Sequence, residues 1–98
     1  MQISKNRNDK ELTVKVSGRL DTSTAPELEA SLKAEFEGLE ALYLDFSELE
    51  YLSSAGLRVL LSSQKVMNKQ GKMVVKNINT TIREIFDITG FSDILTIE

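Results

Sequence analysis

Two adjacent serines, Ser53 and Ser54, carry the clearest chemical potential in this 98-residue chain. They follow an acidic stretch and precede Ala55 and Gly56, after which apolar residues recur at helical spacing. A serine at the start of a helix can cap it, which contributes about 0.5–2 kcal/mol. Capping needs only one hydroxyl, and the small residues leave the helix start open. The second serine is therefore a candidate phosphate acceptor, since a charge of about −1.5 to −2 would meet the positive helix end.

Carboxylates near these serines offer a second kind of chemistry, because hard cations prefer oxygen ligands. Their spacing matches no known metal-binding loop, and acids are also common in turns and on solvated surfaces. An aspartate ahead of a helix is typical of an Asx turn. We therefore expect no metal and no cofactor. The surface around these carboxylates is expected to be acidic, and a phosphate on a serine would add to its negative charge. The carboxylates in question are Asp21, Asp45, Glu48 and Glu50.

Catalysis has little support in the composition. The chain lacks histidine and cysteine, which removes the commonest general base, the thiol nucleophile, disulfides and thiolate zinc sites. Ser62 and Lys65 have the spacing of a Ser–Lys nucleophile pair but no companion motif, so polar residues on the solvent-facing side of a helix are the simpler interpretation. No glycine-rich phosphate loop is present. The sequence predicts a protein that is not an enzyme.

Charge and hydropathy limit the possible partners. The net charge of −3, from 12 basic and 15 acidic residues, argues against sequence-independent nucleic-acid binding. No apolar run approaches the ~20 residues of a membrane span, and the start is not a signal peptide. We expect a single domain over residues 1–98, cytoplasmic and not inserted in a membrane; nothing demands more than a monomer.

The hydrophobic pattern predicts the order β-β-α-β-α-β-α-β. Strands that alternate with single helices imply right-handed crossovers, hence an α/β fold with a mixed, mostly parallel sheet and helices packed against it. Thr24 and Glu27 are spaced as a capping box for the first helix, whose apolar stripe reaches Phe36 before Gly38 stops it. Asn79 or Thr80 is expected to cap the third helix, whose apolar residues are Ile82, Ile85 and Phe86. The predicted buried stripe of the second helix is Leu57, Leu60, Leu61 and Met67. Predicted strands cover residues 2–4, 12–17, 41–46, 73–75 and 94–97.

In such a sheet, the loops that leave the carboxyl ends of the strands share one edge, where sites usually lie. The predicted loops at this edge are residues 18–24, the acidic loop 47–53, and residues 77–80. Asp21 and the two serines, distant in sequence, are therefore expected to be neighbours.

At these residues the sequence resembles the STAS domain, specifically the stand-alone anti-sigma factor antagonists of bacteria. Residues 18–25 are similar to the family pattern G-x-L-D-x-x-T-A, and residues 44–47 with 51–57 resemble its L-D-L/F-S and D-S-S/A-G-L segment. Residues 71–75 and 85–91 fall where the family has G-x-x-x-x-V and F-x-x-x-G-L/F. Four patterns in the right order and spacing make the resemblance specific, and it implies the STAS fold.

The resemblance implies a binding role without catalysis. Such antagonists bind an anti-sigma factor or serine-protein kinase when unphosphorylated; the kinase then phosphorylates a serine at the start of the second helix, and a PP2C-type phosphatase removes the phosphate. Alignment on Gly56 and Leu57 places that serine at Ser54. Ser53 stands where many members have Asp, and we expect it to cap the helix.

The resemblance also implies a partner-binding surface around the serines. Two alternatives stay open: a constitutive STAS scaffold subunit of a transporter or signalling complex without phosphate chemistry, and a small-molecule or nucleotide sensor at the carboxyl edge. The expected partner-binding residues are Asp21, Thr22, Ser23, Ser47, Glu48, Glu50, Tyr51 and Arg58.

Overall fold

A computed structural model describes residues 1–98 and confirms the predicted order of elements. A short 3-10 turn, Phe91–Asp93, precedes the last strand, and no helix is long and apolar enough to cross a bilayer. The strands are β1 (Gln2–Asn8), β2 (Glu11–Leu20), β3 (Ala41–Leu52), β4 (Lys72–Lys76) and β5 (Thr96–Ile97), and the helices are α1 (Ala25–Lys33), α2 (Ser54–Gln70) and α3 (Thr80–Thr89).

The five strands form one mixed sheet in the order β1-β2-β3-β4-β5. β1 pairs antiparallel with β2, and every later pair is parallel. Each crossover helix leads to the next strand in the same direction, so right-handed connections place all three helices on one face. The alternation of buried and exposed residues along β2 agrees with this arrangement. All three parallel connections therefore bring their loops to the same edge.

The core lies between the sheet and the helices. Leu28 and Leu32 of α1 are buried there, as are Ile82 and Phe86 of α3, and Phe46 of β3 is fully buried. These positions follow the apolar stripes that the helical spacing predicted. Phe46 and Phe86 are the largest fully enclosed side chains. Helix α3 packs against β3, the strand that carries the acidic segment.

Helix α1 begins after Thr24, the predicted N-cap residue, but its capping contacts and its end differ from the prediction. Thr24 forms no capping box: its Oγ1 accepts from the Asp21 N–H at 2.8 Å and donates to the Arg19 carbonyl at 2.9 Å, so it is already engaged by the preceding loop. The helix ends at Lys33, and Phe36 lies outside it. After Lys33 the backbone continues in turns, in which the Glu35 N–H donates to the Leu32 carbonyl at 2.9 Å and the Leu39 N–H donates to the Phe36 carbonyl at 3.1 Å. Gln70 Nε2 also donates to the Phe36 carbonyl, at 2.7 Å.

The acidic segment 47–52 is strand and not the predicted loop, because β3 continues to Leu52. β3 advances three residues from Asp45 to Glu48, while the paired stretch of β2, from Lys15 to Ser17, advances two. It then advances two residues from Leu49 to Tyr51, while β2 advances one, from Gly18 to Arg19. Each extra residue is a β-bulge, a feature that re-aims side chains and is common beside functional sites. We call residues 47–52 the bulged segment.

Candidate functional site at the carboxyl edge of the sheet

The carboxyl ends of β2 and β3 bring the predicted residues together. Leu20 pairs with Leu52, and the Ser53 N–H donates to the Leu20 carbonyl at 2.9 Å. The Asp21 loop therefore begins directly beside the first turn of α2. The predicted neighbourhood of Asp21 and the serines is confirmed.

Asp21 organises its own loop. Its Oδ1 accepts from the Ser23 hydroxyl at 2.8 Å and from the N–H groups of Ser23 at 3.0 Å and Thr24 at 3.2 Å. The Ser23 hydroxyl, assisted by these backbone donors, holds the pKa of Asp21 below its ordinary value of 3.8. This is the Asx turn that the sequence suggested. It fixes the position of the exposed Thr22 and Ser23, so Asp21 shapes the candidate surface through its loop.

The two serines are in different environments. Ser53 occupies the N-cap position with extended backbone (φ −96°, ψ 177°), and its carbonyl accepts from the Leu57 N–H at 3.0 Å. Its side chain makes no capping hydrogen bond, and Oγ is buried without a partner. The expectation that the Ser53 hydroxyl caps α2 is therefore wrong. The backbone conformation is not the reason, because Asn79 caps α3 from nearly the same angles (φ −84°, ψ 176°). The Ser53 side chain instead has its Oγ enclosed by protein, away from the free N–H groups of the first turn.

Ser54 is the first residue of α2 and is exposed. Its side chain has no hydrogen bond within the protein. Of the two hydroxyls, that of Ser54 is the one open to an incoming enzyme. The structure thereby distinguishes the two adjacent serines by the accessibility of their hydroxyls.

Removing the Ser53 hydroxyl is a direct test of this difference. We expect Ser53→Ala to change the free energy of unfolding by less than about 0.5 kcal/mol or to stabilise the chain, because a buried hydroxyl without a partner contributes no capping energy. Asn79→Ala is the control, since Asn79 Oδ1 accepts from the Ile82 N–H at 2.8 Å and caps α3 while Nδ2 donates to the Leu49 carbonyl at 2.9 Å; the loss of both contacts should cost at least about 1 kcal/mol. Urea denaturation monitored by circular dichroism measures both, and an equal cost would contradict the assignment.

The bulged segment exposes charged and aromatic side chains beside the serines. Glu48 forms an ion pair with Lys15 of β2 at 3.1 Å, and the guanidinium of Arg19 lies 4.5 Å from the centre of the Tyr51 ring. Glu50 is exposed between them. Lys15 and Arg19 were not predicted as site residues, because their contacts depend on the register between β2 and β3.

A groove runs between the first turns of α1 and α2. Arg58 lies on its rim, and its Nε is 3.5 Å from the carbonyl of Ser54 one turn earlier. Arg58 makes no salt bridge, so its charge is free for a partner. Thr22 lies across from it, which places two predicted partner-binding residues on one groove. The groove is lined by Thr22, Ala25, Pro26, Glu29, Ala55, Arg58 and Val59.

The third loop of the edge contacts the bulged segment from the other side. Asn77 Nδ2 donates to Asp45 Oδ1 at 3.1 Å, and the Ser47 N–H donates to the same oxygen at 2.9 Å. Partial burial opposes ionisation of Asp45, but these two hydrogen bonds outweigh it and hold its pKa below 3.8. Asn79 Nδ2 donates to the carbonyl of Leu49 at 2.9 Å.

The acidic side chains do not assemble into a cation site. Asp21 is engaged by its Asx turn, Asp45 by Asn77, and Glu48 by Lys15. No group of three or more acidic residues lies close enough to hold a metal ion. The carboxylates of this edge act as individual surface charges and turn residues.

Comparison with known proteins identifies the relatives of this chain. The family model described as STAS domain matches residues 2–98. BtrV of Bordetella bronchiseptica is 34% identical over 99 residues, covering 99% of this chain and 85% of BtrV. The anti-sigma-B factor antagonist of Staphylococcus aureus is 31% identical over 97 residues, covering 97% of this chain and 90% of its own length.

Solved structures share the fold. The anti-sigma factor antagonist SpoIIAA of Bacillus superposes in its unphosphorylated form with a TM-score of 0.86 at 15% sequence identity, over 99% of this chain and 88% of SpoIIAA. Its phosphorylated form superposes with a TM-score of 0.78, over 99% of this chain and 91% of that one. The mixed sheet with helices on one face is thus common to both.

Proposed function

The chain belongs to the STAS domain family, and on that premise we propose that it is an anti-sigma factor antagonist switched by phosphorylation of Ser54. In this proposal the unphosphorylated chain binds an anti-sigma factor that is also a serine-protein kinase, in the bacterial cytoplasm. The kinase transfers phosphate to Ser54, the complex weakens, and a PP2C-type phosphatase restores the binding form. The chain itself is a binding protein and performs no catalysis.

One observation carries the choice of Ser54. Its hydroxyl is exposed and unpaired at the first position of a 17-residue helix, whereas Ser53 Oγ is enclosed. A kinase must bring the γ-phosphate of ATP into line with the attacking hydroxyl, which requires that hydroxyl to be accessible. Ser54 meets this requirement without any rearrangement of the helix start.

The site also supports the switching step. A phosphate on Ser54 would lie at the positive end of α2, where negative charge is favourable, so the fold is expected to tolerate it. For a partner, the same phosphate adds about −1.5 to −2 charges four residues after the exposed Glu50. That SpoIIAA, with the same fold, exists in unphosphorylated and phosphorylated forms supports such a switch.

Phosphosite mapping tests the proposal. We expect incubation with the kinase partner and ATP to give one phosphate per chain, located on Ser54 by peptide mass spectrometry. Ser53→Ala should still be phosphorylated and Ser54→Ala should not. Phosphate on Ser53 or elsewhere would contradict the assignment, and a stable complex without any phosphate would favour the constitutive scaffold.

A further inference from the structure

Asn79 makes two contacts that serve two different parts of the fold. Its side-chain oxygen accepts from the Ile82 N–H at 2.8 Å and caps α3, and its side-chain nitrogen donates to the Leu49 carbonyl at 2.9 Å. We propose that Asn79 is a positioning residue of the partner-binding surface, because it fixes the second bulge of β3 in the form that the partner contacts. This inference rests on the proposed function for the identity of the partner.

The second bulge needs such a contact. Glu50, the extra residue between Leu49 and Tyr51, has no paired residue on β2, and a bulge locally disrupts the ladder of hydrogen bonds. Leu49 is anchored by its buried side chain, but its carbonyl lies where the ladder is irregular. The Asn79 amide supplies a donor there, 30 residues away in sequence. It thereby constrains the backbone that presents Glu50 and Tyr51.

A second asparagine strengthens the inference. Asn77 lies two residues before Asn79 and donates to Asp45 Oδ1 at 3.1 Å, at the start of the first bulge. Asn77 has φ of 61°, a left-handed conformation that asparagine tolerates better than most residues. The loop between β4 and α3 thus contacts β3 at both of its irregularities. The side chain of Asn79 in this loop hydrogen-bonds both the first turn of α3 and the backbone of the bulged segment.

Capping alone does not account for the choice of asparagine. An N-cap requires only a side-chain acceptor, and aspartate and serine supply one as well. The Nδ2 donor toward Leu49 is the function that only the amide adds. The two roles can therefore be separated: Asn79→Asp keeps the size and the capping oxygen but removes the Nδ2 donor. Asn79→Ser keeps a capping oxygen without adding charge, on a shorter side chain that has no second polar atom for the Leu49 carbonyl.

Amide hydrogen exchange followed by NMR tests the inference without a partner. In Asn79→Asp and Asn79→Ser we expect the amides of residues 48–51 to exchange about tenfold faster, while those of residues 82–89 keep their protection, since local opening follows lost hydrogen bonds. Asn68→Asp is the matched control. Asn68 is exposed on α2, its Oδ1 accepts from Nε2 of the buried Gln64 at 2.8 Å, and aspartate preserves this contact.

The recognition role is tested by the affinity of the same variants for the kinase that phosphorylates Ser54. We expect the dissociation constant to rise about tenfold in both Asn79 variants, with no change in Asn68→Asp and little change in the urea midpoint. Unchanged exchange rates at residues 48–51 would overturn the inference that Asn79 stabilises the second bulge. Faster exchange with unchanged affinity would overturn only the role of Asn79 in recognition. If no kinase phosphorylates the chain, that role and the proposed function are both overturned. The exchange result still decides whether Asn79 stabilises the second bulge.

Discussion

Ser54→Asp is expected to weaken binding of the proposed kinase partner at least about tenfold, whereas Ser54→Ala is expected to leave the complex intact. Aspartate puts a permanent negative charge at the exposed start of α2, four residues after the exposed Glu50. A partner that packs against the small, neutral Ser54 hydroxyl has no counter-charge at that point, so an added carboxylate must be desolvated at the contact without being paired. Each 1.4 kcal/mol lost is a factor of ten in affinity, and misplaced charges in interfaces cost that much or more. Aspartate carries less charge than phosphate, so its effect is a lower limit.

Isothermal titration with the partner in the absence of ATP measures this effect, because phosphate transfer cannot then obscure it. Ser62→Asp is the matched control: Ser62 is also an exposed serine of α2, two turns beyond Ser54, and the substitution adds the same charge. Equal losses in the two variants would show that the net charge of the chain matters and not the start of the helix. Undiminished binding of Ser54→Asp would contradict the proposed switch.

The sequence predicted what short-range patterns control. Apolar spacing gave the order of elements and the buried stripes of α2 and α3. The order in turn gave the parallel sheet and the shared edge, because connections between parallel strands have a fixed hand. Asp21 was identified as an Asx-turn residue from its position before a helix, and its three hydrogen bonds confirm this.

What the sequence did not predict depends on register and on distant contacts. The segment 47–52 looked like a loop because its acids suggest solvent and turns, yet Leu49 and Leu52 are buried and hold it in the sheet. The bulges arise from how β3 matches β2, which no property of β3 alone encodes. The contacts of Asn79 and Arg19 with this segment follow from that match.

Ser53 shows why a residue preference can mislead at one position. Serine is favoured at N-caps on average, because its oxygen reaches the free N–H groups of the first turn. Here the residue before the helix is also the continuation of a strand, tied by its N–H to Leu20. Its backbone fulfils the cap position while its side chain does not, and the free N–H groups of α2 are left for another acceptor. A phosphate on Ser54 would lie close to them, which links the unusual cap to the proposed switch.

Gly71→Ala is expected to have the largest effect on stability, a loss of about 3 kcal/mol. A Cβ at Gly71 would collide with the carbonyl oxygen of Glu40 and lie 2.6 Å from its carbonyl carbon. That carbonyl accepts from the Lys72 N–H at 3.0 Å, where the pairing of β3 with β4 begins. Backbone atoms fixed by a strand pair cannot move aside, so the substitution must displace the end of α2 or break the pairing. The loss is a large share of the 5–15 kcal/mol typical of a whole domain.

Gly56→Ala is the matched comparison, because it adds the same methyl group at the other end of α2. There the Cβ would lie 2.5 Å from Leu52 Cδ1 and 2.8 Å from Leu20 Cγ, which belong to buried side chains and not to backbone held by a strand pair. Alanine also favours helix over glycine by about 1 kcal/mol, which offsets part of the strain, so we expect a net loss of about 1 kcal/mol. Urea denaturation of both variants measures the difference. An equal loss of unfolding free energy in the two variants would contradict this expectation. It would mean that the leucines at the ends of β2 and β3 yield no more than backbone does, so that the start of α2, which carries Ser54, is fixed as firmly as its end.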